Sequence, residues 1–298
     1  MEEYIRTKRP KLSPNSVKTY ASNLRTLFKD IQYEGSLDDL MSEKSCQVIN
    51  YIGTLSDNRI KQAASAVLIT CPENMELKTL ILEANQRCCE EDQKQELTSA
   101  QKLAWLPWSE IINIRNKLEE ECRPLWIKLE LSHAEYFKLQ NSVIAMVFTL
   151  IPPRRCLDFC YMKLEDQQDG SNCIISRDSK HYFVFNRYKT SKTYGMQEIE
   201  IPDALWEVLR EWKKVSVSPW LFHMSPSNPV PLRSDQFSRR IAQVFKQKGF
   251  GVNLLRHAYV SDELLTEMPF IEELKNSAYK LGHSMKETIL YKKHHSPN

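Results

Sequence analysis

A small set of phosphate-seeking side chains stands where this chain must turn or stop. Arg155 follows Pro152-Pro153, Lys189 and Lys192 lie in the turn-like stretch "YKTSKTYG", and Arg256 sits in "NLLRHAYVS". His283 follows a glycine in "LGHS", and Tyr291 comes eight positions later among basic residues. Guanidinium forks pair bidentately with phosphate oxygens. Lysine and histidine hold or move protons, and a phenol becomes a nucleophile when its anion is stabilised. Each residue alone has an ordinary alternative: a salt bridge for arginine, solvent for lysine, ring packing for tyrosine. Tyr259 and Tyr279 are read that way, so meaning must come from the set.

Composition excludes several other chemistries. There is no G-x-G-x-x-G, P-loop, H-E-x-x-H or G-x-S-x-G, and only seven glycines are available to cradle a nucleotide. Eight cysteines without a hydrophobic signal segment predict free thiols in a reducing, intracellular setting. Cys88-Cys89, Cys156 and Cys160 lack paired CxxC or HxxxH spacing, so neither a metal site nor a cofactor is expected. No apolar run reaches the roughly 18 to 20 residues of a membrane span, so no membrane role is expected. The net charge of +3 is too small to identify a partner; its distribution in blocks is more informative. The basic "RTKRPKL" near the start reads equally as a nuclear-targeting signal, a phosphate-contacting arm or a solvated segment.

The elements that must position those residues are mostly helical. "SPNSVKTYASNLRTLFKDI" opens with Ser13-Pro14 and lays Val17, Tyr20, Leu24, Leu27, Phe28 and Ile31 on one stripe, with Lys18, Arg25 and Lys29 opposite. Helical segments run on to about residue 87, and the acidic "CCEEDQKQELTSAQK" is read as a connector with a boundary near residue 100. "HAEYFKLQNSVIAMVFTLI" is a core helix stopped by the prolines, and a short helix restarts at "RRCLDFCYMKL". Three runs, "NCIISRD", "HYFVFNRY" and "MQEIEIP", predict a small antiparallel meander, after which the chain returns to helix. The expected class is therefore mainly α with one three-stranded antiparallel sheet (α+β), in two domains.

Taken in order, these motifs resemble the tyrosine recombinases, the integrase family that cuts and rejoins DNA through a phosphotyrosine link. "PPRRCLDF" looks like the family's arginine with an acidic residue three positions on, which selects Arg155 with Asp158 over Arg154. "NLLRHAYVS" resembles the His-x-x-Arg box, "LGHS" resembles the box of the second histidine, and Tyr291 follows it. "SVKTYASNLRTLF" is similar to the helix that opens the family's DNA-gripping domain. The resemblance spans nearly the whole chain and is weakest between residues 35 and 100. It implies a two-domain DNA clamp, with residues 1–100 a helical DNA-binding domain and connector and 101–298 the catalytic domain. It further implies a double-stranded DNA partner, no cofactor, and a homotetramer on two DNA sites, joined head to tail through C-terminal segments. Cysteine usage, few glycines and the "KTSKTYG" hairpin look more like recombinases of eukaryotic mobile elements or large DNA viruses than bacterial resolvases.

The resemblance also assigns roles. Arg155 and Arg256 would clamp the scissile phosphate, and Tyr291 would attack phosphorus to give a 3′-phosphotyrosyl enzyme and a free 5′-hydroxyl. The acid would be a hairpin lysine, Lys189 in preference to Lys192 because "RYKT" ends the strand. Two departures stand out. Asn253 occupies the place where the family most often has histidine, and asparagine cannot exchange a proton near neutral pH; losing such help commonly costs about 100- to 10,000-fold. The interval from His283 to Tyr291 is also one residue shorter than is common. His257, about 100° around the helix from Arg256, is read as a supporting or core histidine. Lys18, Arg25 and Lys29, with Arg239 and Arg240, are candidates for phosphate contacts. Two other functions fit the same residues: strand relaxation of the type IB topoisomerase kind, and DNA binding alone with decayed catalysis, which Asn253 favours.

Overall fold

The computed structural model describes residues 1–264 and 271–292, without the side chains of residues 271 and 272. The chain divides into two compact units, Met1–Lys94 and Gln95–Asn298. The first is all helical: α1 (Glu2–Lys8), α2 (Pro14–Asp30), α3 (Leu40–Gly53), α4 (Asp57–Val67) and α5 (Met75–Lys94). In α2 the Ser13 hydroxyl accepts the Ser16 N–H at 3.1 Å and Pro14 fills the first turn, where no N–H is needed. The helix buries Val17, Ala21, Leu24 and Leu27 against α4, while Lys18, Arg25 and Lys29 face outward. The predicted stripe is seen, with Ile31 buried and Tyr20 and Phe28 packed at its margin.

The second unit opens with α6 (Ser99–Ala104), α7 (Trp108–Cys122) and α8 (His133–Leu150). Reciprocal caps start α6 at Thr98 and Gln101 and start α8 at Ser132 and Glu135. Buried almost all round, α8 carries Leu139, Val143, Ile144, Val147 and Phe148 and ends just before the prolines, as expected. Next come α9 (Cys156–Cys160), β1 (Cys173–Arg177), β2 (Lys180–Phe185), α10 (Ser191–Tyr194) and β3 (Gln197–Glu200). The strands form an antiparallel sheet in the order β1-β2-β3, with Ile174 opposite Phe183 and Phe183 opposite Ile199 on its buried face. This is the predicted meander in a mainly helical chain.

Beyond the sheet lie α11 (Asp203–Val215), the hairpin β4 (His223–Ser225) and β5 (Asn228–Pro231), α12 (Ser234–Val244) and α13 (Val252–Ala258). A π-helical turn, Tyr259–Leu264, extends α13; α14 (Ile271–Leu281) and α15 (Met285–Leu290) complete the described chain. The β4–β5 hairpin is not foreseen, because Pro229 and Pro231 mask a strand whose pairing is irregular. Phe148, Phe159, Phe183, Phe222 and Phe237 form edge-to-face and tilted contacts at the centre of the unit. All eight cysteines are unpaired thiols. No helix among the described residues is long and apolar enough to cross a membrane. Residues 293–298, part of the C-terminal segment expected to join copies head to tail, lie outside the described residues.

Candidate active site

The site is organised by the way α14 ends. Gly282 adopts φ +69, the His283 N–H reaches Ala278 O at 2.9 Å, and the Gly282 N–H reaches Tyr279 O at 3.0 Å. This Schellman turn needs a left-handed residue, which glycine supplies without strain. It leaves the next carbonyls facing outward from the helix, and three arginines take them in turn. Arg154 Nη1 donates to Lys280 O at 3.0 Å, Arg256 Nη2 to Leu281 O at 3.2 Å, and Arg155 Nη1 to Gly282 O at 3.5 Å. The negative end of the helix dipole favours cations there. Residues far apart in sequence therefore converge because one helix terminus offers acceptors to all of them.

The three arginines are not equivalent. Arg154 is fully buried, donates from Nε to Asp158 Oδ2 at 2.9 Å and from Nη1 to Gln197 Oε1 at 2.9 Å, and lies over the rings of Phe185 and Tyr188. Burial pulls its ionisation below the ordinary value, and the Asp158 charge opposes that pull. Burial likewise pushes the Asp158 carboxyl up, against the pull of Arg154. The acidic partner that the sequence assigns to Arg155 thus belongs to Arg154. Arg154 precedes α9, and its buried guanidinium meets Asp158 in the first turn of that helix, while Arg155, the N-cap, is left half-exposed. Arg256 is fully buried on α13, and burial pulls it down to about 10. Its Nε and Nη1 have no hydrogen-bond partner among the described residues.

Tyr291 arrives by a short path. After the Gly282 turn, the Ser284 hydroxyl accepts the Glu287 N–H at 3.2 Å and starts α15, whose last turn delivers Tyr291. The Tyr291 ring lies 4.7 Å from the His283 ring and 4.6 Å from the His257 ring, and Arg256 Cζ is 5.1 Å from its centroid. His257 Nδ1 is 2.8 Å from Tyr291 O. A carbonyl only accepts, so that nitrogen carries the proton and His257 caps α15. His283 takes the opposite part. Arg256 Nη2 lies against both nitrogens of its ring, Nε2 and, at 3.1 Å, Nδ1; a guanidinium only donates, so the imidazole is the acceptor and neutral. Burial first, then the charges of Arg256, Arg155, Arg154 and Lys189, push His283 down to about 2.

Lys189 is not at the end of a strand. β2 stops at Phe185, because the Asn172 side chain captures the next backbone groups: its Oδ1 accepts from the Asn186 and Arg187 N–H at 2.9 and 2.7 Å. Its Nδ2 donates to Asp158 O and Arg187 O at 2.8 and 2.9 Å, tying α9 to this loop. Tyr188 is pinned by its hydroxyl to Gly195 O, and the Thr190 hydroxyl donates to Gly282 O at 3.3 Å. Lys189 stands exposed between them and lines a cavity of about 360 Å³ with Leu157, Tyr161 and Arg187. Lys192 is exposed on α10, one turn further on. Asn253 is exposed on the first turn of α13, one turn before Arg256.

The outlying basic residues behave differently from one another. Arg239 is exposed and bonded to Asp235 Oδ2 at 2.9 Å, whereas Arg240 is half-buried over the Phe137 ring with Nη1 3.5 Å from Asn141 Oδ1. Sequence reasoning missed Arg154, Asn172 and Gln197. No local pattern separates Arg154 from Arg155, and the other two are single polar residues in strand-like runs and carry no signal. Among the described residues, no cluster of His, Cys, Asp and Glu could hold a metal ion.

No family model matches the sequence, and no curated protein matches it. Solved structures are similar in fold. A XerH site-specific recombinase bound to a palindromic difH substrate, in a post-cleavage complex, superposes with a TM-score of 0.54 at 15% identity, over 92% of this chain and 75% of that one. The XerH recombinase bound to difH in a pre-cleavage complex gives 0.58 at 13% identity, over 92% and 76%. XerA recombinase gives 0.43 at 14% identity, over 99% and 94%. The chain therefore has the fold of the XerH site-specific recombinase, the recombinase fold that its ordered motifs imply.

Proposed function

We propose that this protein is a site-specific DNA recombinase that cuts and rejoins strands through Tyr291. One observation carries the reading: beside the Tyr291 ring, buried Arg256 keeps two donor nitrogens without partners among the described residues. An unpaired buried guanidinium is costly, and a phosphate oxygen satisfies it. Arg155, half-exposed on the neighbouring carbonyl, supplies the second fork. The similarity to XerH recombinases bound to difH supports a DNA partner.

In the proposed step the Tyr291 phenol oxygen bonds to phosphorus as the bond to the 5′-oxygen breaks, leaving a 3′-phosphotyrosyl link. Arg155 and Arg256 stabilise the charge that grows on the nonbridging oxygens. Lys189 gives a proton to the departing 5′-oxygen. Asn253 cannot accept the phenol proton, and burial together with the surrounding cations holds His283 against protonation, so solvent takes it. The covalent link conserves the bond, so an incoming 5′-hydroxyl reverses the step without hydrolysis. Exchange between two duplexes requires four strand cuts, and hence four copies of this chain on two sites. The first unit grips the duplex through the outward face of α2.

Incubation with nicked duplexes of random sequence, which lose a short fragment on cleavage, should trap a covalent adduct with wild type and none with Tyr291→Phe. Absence of an adduct from wild type would leave DNA binding alone, the reading that Asn253 favours. Relaxation of a single supercoiled circle without exchange between duplexes would replace recombination by topoisomerase action.

A further inference from the structure

We infer that Arg154 and Gln197 form an anchor that positions Tyr291, separate from the arginines that meet phosphate. The inference rests on reading Tyr291 as the attacking group. Unlike Arg256, Arg154 has its Nε and Nη1 engaged with Asp158, Gln197 and Lys280, and its one remaining nitrogen without a partner among the described residues, Nη2, faces the Gly282 turn. What it holds is the end of α14. Gln197, also buried at the start of β3, accepts from Arg154 through Oε1 and donates through Nε2 to Tyr279 O at 3.2 Å. The two side chains thus fasten two successive carbonyls of α14, Tyr279 and Lys280, to the sheet and to α9.

The path from that anchor to Tyr291 is stiff and short. Gly282 follows Lys280 by two residues, and a Cβ built there would lie 3.2 Å from Arg154 Nη2, so the turn is packed directly on the anchor. The Ser284 cap then fixes the direction of α15. Arg155 and Arg256 touch the same helix end, but each is also held by its own element, α9 or α13. Loosening α14 therefore displaces Tyr291 and His283 more than it displaces the two forks. A shift of about 1 Å in an attacking group costs on the order of 100-fold.

Gln197→Met removes both bonds, keeps the volume and leaves the Arg154–Asp158 pair intact. It should lower the rate of adduct formation about 100-fold. The discriminating readout replaces the phenol by hydrogen peroxide, whose oxygen bonds to phosphorus as the 5′-oxygen leaves. In a Tyr291→Phe background, peroxide-driven cleavage should stay within a few-fold when Gln197→Met is added, because the forks remain in place. Equal loss on both routes would mean that the pair holds the whole pocket, and an unchanged adduct rate would mean that it holds nothing of consequence; either overturns the inference. Amide exchange of residues 278–292 in Gln197→Met should be faster than in wild type, and unchanged exchange would also overturn it. This last measurement needs no activity. If wild type forms no adduct and Tyr291→Phe shows no peroxide cleavage, the functional reading has failed, and the exchange result alone upholds or removes the anchor. Arg154→Met combined with Asp158→Leu, which removes both charges together, should repeat the pattern.

Discussion

The basic face of α2 and the arginine cluster at the end of α14 use the same kind of side chain under opposite conditions. On α2, Lys18 and Lys29 are exposed and form no ion pair among the described residues, and Arg25 meets Glu2 only at 3.6 Å across the surface. At α14, Arg154 and Arg256 are fully buried and are bonded to backbone carbonyls, with Asp158 as the buried counter-charge. Surface pairs of the first kind contribute about 0 to 1 kcal/mol, whereas a buried charge deprived of its partners costs several. Cations on α2 can thus act only through their number and the field they create. Those at α14 act through orientation, because every N–H that is not spent on a carbonyl points somewhere fixed.

Replacing one fork should separate the two regimes most sharply. Arg256→Lys keeps the charge but loses the planar pair of donors, and lysine cannot hold Leu281 O, His283 and a phosphate oxygen together. Single-turnover cleavage should fall by about 100- to 1,000-fold, with DNA affinity changed far less. A comparable fall in affinity with little loss in rate would mean that Arg256 belongs with the α2 cations as a general attractor. Arg155→Lys should be milder, since Arg155 is half-exposed and its bond to Gly282 O is long.

Acid should weaken the buried site next. His283 is pushed down to about 2 in the folded protein by burial and four nearby cations, whereas an unfolded histidine titrates at about 6.5. The unfolded chain therefore binds more protons below that value. The stability contributed by the neutral imidazole is present above pH about 6.5 and is lost progressively as pH falls toward 2. His223, lowered by its own burial, adds in the same direction. Thermal melts between pH 8 and 4 should show a declining midpoint, and His283→Asn should reduce the proton uptake on unfolding by up to about one. No change in that slope would mean that His283 is charged in the folded state, contrary to its role as an acceptor from Arg256.

Much of this contrast was legible in the sequence, and for a physical reason. Helices advertise themselves through local periodicity, so α2 and α8 and their polar faces could be read from residue spacing and caps. The meander was visible because β-branched and aromatic residues alternate between turn-formers. The site was legible only as an ordered set of motifs, since Arg155, Arg256, His283 and Tyr291 meet through one helix terminus that no local pattern announces. Asp158 pairs not with the expected Arg155 but with Arg154, and no local pattern separates the two neighbours; burial of the Arg154 guanidinium does. The expectation that "RYKT" ends the strand puts Lys189 at a strand end, whereas the buried Asn172 side chain takes the two backbone N–H groups after Phe185 and ends the ladder early. A single buried amide of that kind redirects a chain without leaving a trace in composition.

The smallest expected effect lies on α2, and its form matters more than its size. If Lys18 and Lys29 each neutralise one phosphate, replacing both with alanine should reduce the slope of log affinity against log salt by roughly 0.9 per lost contact. Affinity should fall uniformly across DNA sequences, because phosphate contacts carry no base information. Arg25→Ala should add less, since Glu2 already competes for that guanidinium. The rate of adduct formation at saturating DNA should not change, because none of these side chains orients the attacking group. An altered saturated rate with an unaltered salt slope would reverse the assignment: α2 would then be shaping the chemistry, and the distinction between cations that attract and cations that aim would fail at its weaker end.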